Sequence, residues 1–147
     1  MHHWEVIPLE SIGPVQLGMS QEEVRAVLGE PSHTEQAREK WGLSFPDRDC
    51  FFRNAFQVSY NQELRADFIA VSQDRDYIVT YEGLAVHTTP APELVRAISR
   101  QASFDESYRE HPRNYWFPKL YLNLFRSDGE SEFFDTMGIC TPEFGSK

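Results

Sequence analysis

The stretch VQLGMSQEEVRAVLGEP, at Val15–Pro31, constrains the fold of this chain more than any other segment. Apolar and polar residues alternate at its start, which is the period of a β-strand. Ser20 followed three residues later by Glu23 is the arrangement of a capping box, in which two side chains satisfy amide groups at a helix N-terminus. Gly29 permits the helix to end, and the proline that follows prevents it from resuming. The sequence therefore predicts a strand followed by a short helix over residues 21–28.

A second amphipathic segment repeats this pattern later in the chain. The sequence ELVRAI at Glu93–Ile98 aligns without a gap with EEVRAV at Glu22–Val27, 71 positions earlier. Thr88 or Thr89 supplies the N-cap expected of such a helix. Helical periodicity predicts that one face of each helix enters the core. The expected core positions are Val24, Val27 and Leu28 in the first helix and Leu94, Val95 and Ile98 in the second.

Each predicted helix is followed by a polar loop and then by strands. Residues 56–60 alternate with period two, a turn follows, and residues 65–73 alternate again, which predicts a β-hairpin. Leucines alternate in the same way over residues 120–124, ahead of a turn that contains glycine. Aligning the two hairpins with an offset of 65 positions places Tyr60 on Phe125.

The order of helix, polar loop, strand, turn and strand occurs twice, which is typical of an internal repeat. The first polar stretch, residues 32–49, is expected to be a loop with one short strand. The sequence therefore predicts an α+β fold of two tandem modules, each a short helix packed on an antiparallel β-sheet. Residues 1–76 form the first helix-plus-hairpin module in this interpretation and residues 77–147 the second, within a single compact unit of residues 1–147.

The charge of the chain restricts its class of partner. The 147 residues carry a formal net charge of −9, with a pI of about 5.0. Such a field repels nucleic acid and anionic membrane surfaces and attracts basic proteins. No apolar run approaches the roughly 20 residues of a membrane-spanning helix, and the N-terminus lacks the basic and apolar parts of a signal peptide. We therefore expect a cytoplasmic protein that binds neither nucleic acid nor membranes, in which Cys50 and Cys140 are free thiols.

No group of residues has the spacing of a catalytic or metal site. The five histidines include no pair at the i, i+4 spacing of a helical zinc motif, and His33 and His111 fall in polar loops. Cys50 precedes a strand, where a buried cysteine is common, and Ser20 has the position of a helix cap rather than of a nucleophile. We predict no catalytic residue, no metal site and no cofactor.

Carboxylates and outward-facing aromatic residues are the candidate binding groups. If the leucines of residues 120–124 face the core, the alternate side chains face outwards, and Glu130 and Glu132 share a face if they lie in a strand. Such carboxylates form either a solvated edge that discourages aggregation or an acidic patch for a basic partner. The aromatic face is either exposed or covered by the loops carrying Trp41 and Trp116. The predicted partner-binding residues are Asp74, Asp76, Tyr121, Phe125, Asp128, Glu130 and Glu132.

The stretch at Val15–Pro31 resembles the signature of SmpA/OmlA-like modules, which are found in BamE-type assembly lipoproteins. The tandem layout also resembles β-lactamase inhibitory protein, and the chain as a whole resembles small bacterial immunity-type proteins. These resemblances imply a scaffold that binds other proteins. The second copy has lost the glycine–methionine pair and the final glycine, and no lipoprotein cysteine is present near the N-terminus, which disfavours a role in the envelope.

The sequence therefore favours a non-catalytic protein-binding inhibitor rather than an enzyme. The first hypothesis is an immunity protein that neutralises a cognate, basic bacterial toxin or effector by occlusion, with electrostatic steering. The alternative is a small enzyme or ligand-binding protein with a pocket between helix and sheet. An envelope assembly factor is the third.

Overall fold

The computed structural model describes residues 1–45 and 47–146, with all side chains except those of residue 40 and residues 43–45. Within these residues the chain forms an α+β fold that is mostly β-sheet. The helices are α1 (Gln21–Leu28), α2 (Ala91–Ser99) and α3 (Pro142–Gly145). The strands are β1 (His2–Ile7), β2 (Ser11–Ile12), β3 (Val15–Gln16), β4 (His33–Glu35), β5 (Arg38–Lys40), β6 (Leu43–Phe45), β7 (Arg48–Phe51), β8 (Phe56–Tyr60), β9 (Ala66–Ser72), β10 (Tyr77–Tyr81), β11 (Leu84–Ala85), β12 (Asn114–Phe117), β13 (Leu122–Phe125) and β14 (Thr136–Cys140).

The largest sheet has seven strands in the order β12-β13-β14-β9-β8-β7-β4, and every neighbouring pair is antiparallel. The meander β7–β8–β9 and the meander β12–β13–β14 meet at their last strands, where Ile69 lies opposite Ile139. Each set of three consecutive strands therefore occupies one side of this sheet. Strands β5 and β6 form a separate two-stranded sheet.

A five-stranded sheet in the order β11-β10-β1-β2-β3 has β1 at its centre. Strand β1 is antiparallel to β2 and parallel to β10. The hairpin β2–β3 therefore flanks β1 on one side, and the hairpin β10–β11 flanks it on the other. Each of these hairpins turns through two residues and leads towards a helix, α1 in the first case and α2 in the second.

The two larger sheets share one apolar core, to which both halves of the chain and both longer helices contribute. Trp4 of β1 contacts Phe56 of β8, with ring centroids 5.6 Å apart. On the seven-stranded sheet, alternate residues such as Val58 and Ile69, which pair directly, are fully buried. We call this core-facing side of the sheet the inner face and the opposite side the outer face.

Helix α1 has the predicted limits and the predicted capping box. The Ser20 hydroxyl accepts the Glu23 amide proton, the Glu23 carboxylate accepts the Ser20 amide proton, and Gly29 ends the helix at a φ of 85° that glycine adopts without strain. Val24 is fully buried and Leu28 packs against the core. The prediction for Val27 is wrong, because this side chain is 47% exposed.

Helix α2 is also confirmed, but its N-cap is Pro90 and no side chain caps it, so the predicted threonine cap is wrong. Its first residue lies 70 positions after the first residue of α1, and buried Leu94 lies 70 positions after buried Val24. The gapless alignment at 71 positions instead pairs Val24 with half-buried Val95. The buried faces of the two helices therefore correspond one position away from the sequence match.

The predicted β8–β9 hairpin is confirmed, whereas two other strand predictions are wrong. Residues 32–49 contain β4, β5, β6 and the start of β7 rather than a loop with one strand. In the second half, β14 begins only at Thr136, after a long loop. Tyr60 is buried on the inner face, while Phe125 lies on the outer face of β13. The hairpin alignment with an offset of 65 positions therefore pairs residues from opposite faces.

Candidate functional site

The structure separates the seven predicted partner-binding residues into three places. Asp74 and Asp76 lie in the turn between β9 and β10. Tyr121 lies in the turn immediately before β13, and Phe125 is the last residue of that strand. The other three, Asp128, Glu130 and Glu132, lie in the connection between β13 and β14. We call residues 127–135 of this connection the acidic loop.

Asp74 and Asp76 are both paired with Arg53. One guanidinium nitrogen of Arg53 lies 2.8 Å from each oxygen of Asp74 and 3.1 Å from an oxygen of Asp76. Asp74 also accepts the amide proton of Asp76, and its side chain is only 9% exposed. This cluster closes the β9–β10 turn, and Arg53 neutralises part of the charge that was expected to face a partner.

The acidic loop is not a strand, so the expectation that Glu130 and Glu132 share a strand face is wrong. Asp128 accepts the amide proton of Glu130 at 2.9 Å and forms a local turn. The carbonyl oxygen of Glu132 accepts the amide proton of Ala91 at 2.7 Å, which ties the loop to the start of α2. Both glutamate side chains are exposed.

Arg126 attaches the acidic loop to a neighbouring segment of the chain through hydrogen bonds to backbone carbonyls. Its side chain is buried, its Nε donates to the carbonyl of Pro112 at 3.1 Å, and its Nη1 donates to the carbonyl of Ser131 at 2.8 Å. The guanidinium lies over the rings of Tyr115 and Phe134, at 5.7 and 5.1 Å. Since the guanidinium joins Ser131 of the acidic loop to Pro112 of the segment before β12, it helps to fix the shape of the loop that carries the carboxylates.

An open cavity of about 560 Å³ lies beside the acidic loop, and we call it the acidic groove. Glu132, Phe133 and Asp135 line it on the loop side, and Phe133 is 37% exposed. Asp135 is fixed in place because one of its oxygens accepts the amide proton of Ser127 at 2.8 Å. The lining residues are Ser72, Gln73, His87, Ser131, Glu132, Phe133, Phe134 and Asp135.

His87 is the buried polar residue of the acidic groove, with 8% of its surface exposed. Its Nε2 lies 3.1 Å from the carbonyl oxygen of Val71, and a carbonyl only accepts, so Nε2 carries the proton. Burial lowers the pKa of His87, which favours this neutral form. Nδ1 is then a hydrogen-bond acceptor. It has no partner among the described residues and is not sealed from solvent.

A second cavity, of about 300 Å³, adjoins the first because His87 and Gln73 line both. Asp74 and Arg75 also line this second cavity, together with the apolar residues of β10. His87 was absent from the predicted site. Nothing in the sequence around His87 indicates that a loop some 40 residues later lines the same cavity.

Tyr121 and Phe125 lie on the outer face, and the prediction that Leu122 and Leu124 face the core is confirmed. Tyr121 meets the ring of Trp116 edge to face, with centroids 6.0 Å apart. The three residue steps of β13 from Leu122 to Phe125 alone span about 10 Å, at 3.3 Å per residue. They therefore do not form one anchor patch.

The outer face is partly covered by α3, and there Phe144 meets Phe68 at a centroid distance of 4.8 Å. Cover by the tryptophan loops was one of the two alternatives for this face. Trp116 is itself in β12, and Trp41 is 82% exposed between β5 and β6, so neither side chain forms that layer. Between α3 and the sheet lies a cavity of about 280 Å³, which we call the aromatic hollow. Its lining residues are Phe68, Tyr108, Asn114, Trp116, Asn123, Cys140, Phe144 and Gly145.

No protein-family model, curated protein or solved structure matches this chain. In residues 1–45 and 47–146 no three or more His, Cys, Asp or Glu side chains form a group that could hold a metal ion. None of the helices in that part of the chain is long and apolar enough to cross a membrane.

Both cysteines are free thiols, as predicted. The sheet register places His33 of β4 directly opposite Cys50 of β7, a neighbour that the sequence did not reveal. Burial raises the pKa of Cys50, and it raises the pKa of Cys140 to about 11. Both shifts disfavour the thiolate that a cysteine nucleophile requires.

Proposed function

We propose that the chain consists of two tandem modules, residues 1–76 and 77–147, each with a helix on an antiparallel sheet. The strand orders support this division, because one hairpin from each half flanks β1 and one meander from each half meets at the β9–β14 pair. The 70-residue spacing of the two helices supports it as well. A single apolar core then joins the modules into one compact unit.

We further propose that this protein is a non-catalytic immunity protein, which neutralises a basic bacterial toxin or effector in the cytoplasm by occluding it. The observation that carries this proposal is the acidic loop, whose exposed carboxylates are held in a fixed shape by buried Arg126. A binding surface that is ordered before the encounter loses less entropy on binding than a mobile one. Neither cofactor nor metal is required for occlusion.

The charge distribution supports a basic partner. Residues 126–135 contain four carboxylates and one guanidinium, within a chain of net charge −9. Asp74 and Asp76 contribute less than their number implies, because Arg53 is bound to both. Exposed carboxylates at the rim of an interface act mainly on the association rate. The acidic loop is therefore expected to steer the partner towards the acidic groove.

The test begins with capture of the partner from the source cell and continues with binding kinetics on the purified pair. Glu130→Lys combined with Glu132→Lys should slow association severalfold, and the difference should shrink as salt screens the charges. Glu22→Lys combined with Glu30→Lys makes the same charge change at exposed positions of and beside α1 and serves as the control. Equal slowing by both pairs would show that net charge, not the acidic loop, steers the partner.

The aromatic hollow favours a second candidate function, that of a ligand-binding protein. It lies between a helix and the sheet, and its lining contains aromatic rings together with two amide side chains, which is typical of a small-molecule site. Asn123 donates to Asn114 at 3.1 Å, which fixes both amides at its edge. Ligand-dependent change in Trp116 fluorescence, absent from Trp116→Phe, would test this function.

A further inference from the structure

We propose that the acidic groove binds the side chain of an arginine presented by the basic partner. His87 Nδ1 and the carboxylates of Glu132 and Asp135 would accept its protons, and Phe133 would support its planar face. This inference rests on the proposed function and assigns a chemical class to the group that the partner inserts.

The ionisable side chains of the groove are hydrogen-bond acceptors, and its side-chain donors belong to neutral Ser72, Gln73 and Ser131. An ionised carboxylate has no donor and can only accept, and His87 Nδ1 accepts because Nε2 already donates to Val71. A buried imidazole with an unused acceptor atom at a cavity is a group that a donor can satisfy. A ligand with several N–H groups and a positive charge therefore fits this lining, and an anion does not.

Guanidinium fits better than ammonium or a metal ion. Its five N–H donors lie in one plane and can reach acceptors on different walls at once, whereas ammonium is a compact point charge. Its flat face stacks on an aromatic ring, and the partly exposed ring of Phe133 lies on the groove wall. A metal site would need a tighter group of ligands than the described residues provide.

Arg126 lies close to the groove, but its guanidinium already has hydrogen-bond partners within the protein. Its N–H groups donate to two backbone carbonyls, and its flat face is covered by the rings of Tyr115 and Phe134. Its charge opposes a second guanidinium, but the four carboxylates of the acidic loop outnumber it. Arg126 therefore acts as a positioning residue for the loop, not as an occupant of the groove.

The direct test titrates the isotope-labelled full chain with N-acetyl-arginine methylamide and follows the His87 ring and the amides of residues 127–135 by NMR. The matched probe is N-acetyl-citrulline methylamide, which has nearly the same shape but no charge. We expect saturable shifts at His87 and the acidic loop with the arginine probe, and an at least tenfold weaker response to the citrulline probe. Hydrogen bonds to charged groups have energies of about 1.5–3 kcal/mol, which corresponds to tenfold or more.

Two variants identify the acceptors. Glu132→Gln with Asp135→Asn should weaken binding of the arginine probe at least tenfold, while Glu22→Gln with Glu30→Gln should leave it unchanged. His87→Phe should also weaken it. If that variant does not fold, the Glu132→Gln, Asp135→Asn protein decides the question, because both residues are exposed and an Asn oxygen can still accept the Ser127 amide proton.

Equal shifts with both probes, or shifts that map away from His87 and the acidic loop, would overturn the inference. If the arginine probe does not bind but Glu130→Lys with Glu132→Lys still slows association with a basic partner, the proposed function stands and the arginine site fails. If the arginine probe binds as expected but the captured partner is indifferent to the acidic loop, the arginine site stands and the proposed function fails.

Discussion

Helices α1 and α2 each follow a hairpin that flanks β1, yet different interactions hold them. Helix α2 buries Ala91, Leu94, Ala97 and Ile98 and is attached by apolar packing. Helix α1 buries Val24 alone and is attached in addition by a polar network that reaches into the core. Two helices with similar sequences are thus anchored by different interactions, apolar packing for α2 and buried hydrogen bonds for α1.

The polar network centres on Asp49, which is fully buried on the inner face of β7. Arg25 of α1 donates to both of its oxygens at 2.9 Å, Thr34 donates at 2.7 Å and the Tyr60 hydroxyl donates at 2.9 Å. Burial alone would raise the pKa of Asp49, but these hydrogen bonds outweigh it, and the pKa is lowered. The charge is therefore retained because every acceptor site is used.

Arg96 shows that the matched sequence does not carry this role. It follows Val95 in α2 as Arg25 follows Val24 in α1, but it is exposed beside Glu82 and Glu93. No salt bridge of Arg96 is found within the described part of the chain. The buried faces correspond at a spacing of 70 positions, so Arg25 is matched by Val95, and Arg96 is matched by exposed Ala26. The sequence match therefore places the second arginine on the solvent side of its helix.

The largest effect should come from breaking the α1 network. Asp49→Ala should lower the free energy of unfolding by about 3–5 kcal/mol, because it leaves Arg25, Thr34 and Tyr60 without their acceptor. Arg25 is one-third exposed and can turn to water, which favours the lower end of this range. Chemical denaturation measures the loss, with exposed Glu30→Ala as the control. A change below about 1 kcal/mol would show that the network is not what holds α1.

A somewhat smaller loss is expected when the apolar anchor of α2 is truncated. Leu94→Ala should lower the free energy of unfolding by about 2–4 kcal/mol through lost burial and the cavity left behind. Val24→Ala is the matched change in α1 and removes fewer buried atoms. The same denaturation experiment ranks the two. Equal losses would contradict the conclusion that packing contributes more to α2 than to α1.

The two helices should also differ in their response to acid. The pKa of Asp49 is lowered from its ordinary value of 3.8. The contribution of ionised Asp49 to the free energy of unfolding is therefore present above pH 3.8 and is lost as the pH falls through its lower pKa in the folded state. Burial also lowers the pKa of His87 from 6.5. The contribution of neutral His87 to stability is therefore present above pH 6.5 and is lost as the pH falls below it, independently of Asp49. Amide hydrogen exchange, corrected for intrinsic rates, should show α1 losing protection before α2 as the pH falls below 3.8. In Asp49→Asn this difference should disappear, and its persistence there would exclude Asp49 as the cause.

Local signals made α1 predictable to the residue. A side-chain cap and a terminal glycine act within one turn of the helix, so Ser20, Glu23 and Gly29 sufficed. The same reasoning failed for Val27, because the sheet beneath decides which side of an amphipathic helix is buried. It failed for the α2 cap because a proline can begin a helix without a capping side chain.

The site was less predictable because its contacts are distant in sequence. Asp49 seemed to belong to a solvated polar loop, and only the register of β7 with β8 turns it inwards beside Tyr60. His87 shares a cavity with a loop that follows about 40 residues later, and nothing in the local sequence indicates that Arg126 bonds to that loop. Alternation did predict the inward face of β13, since leucine and polar residues differ enough to fix the register.

The smallest effect concerns the cap that only α1 has. Ser20→Ala should lower the free energy of unfolding by about 1 kcal/mol, because the hydroxyl that accepts the Glu23 amide proton is removed. In α2, Thr89→Ser should change stability by much less, because the Thr89 hydroxyl accepts no amide proton of that helix. Adding Glu23→Ala to Ser20→Ala tests the reciprocal bond from the Ser20 amide to the Glu23 carboxylate. If the two substitutions act as one box, their combined loss should be smaller than the sum of the single losses. If the losses in the free energy of unfolding are strictly additive in thermal and chemical unfolding, the two hydrogen bonds are independent. The Ser20 hydroxyl would then stabilise the start of α1 by itself, without help from the Glu23 carboxylate.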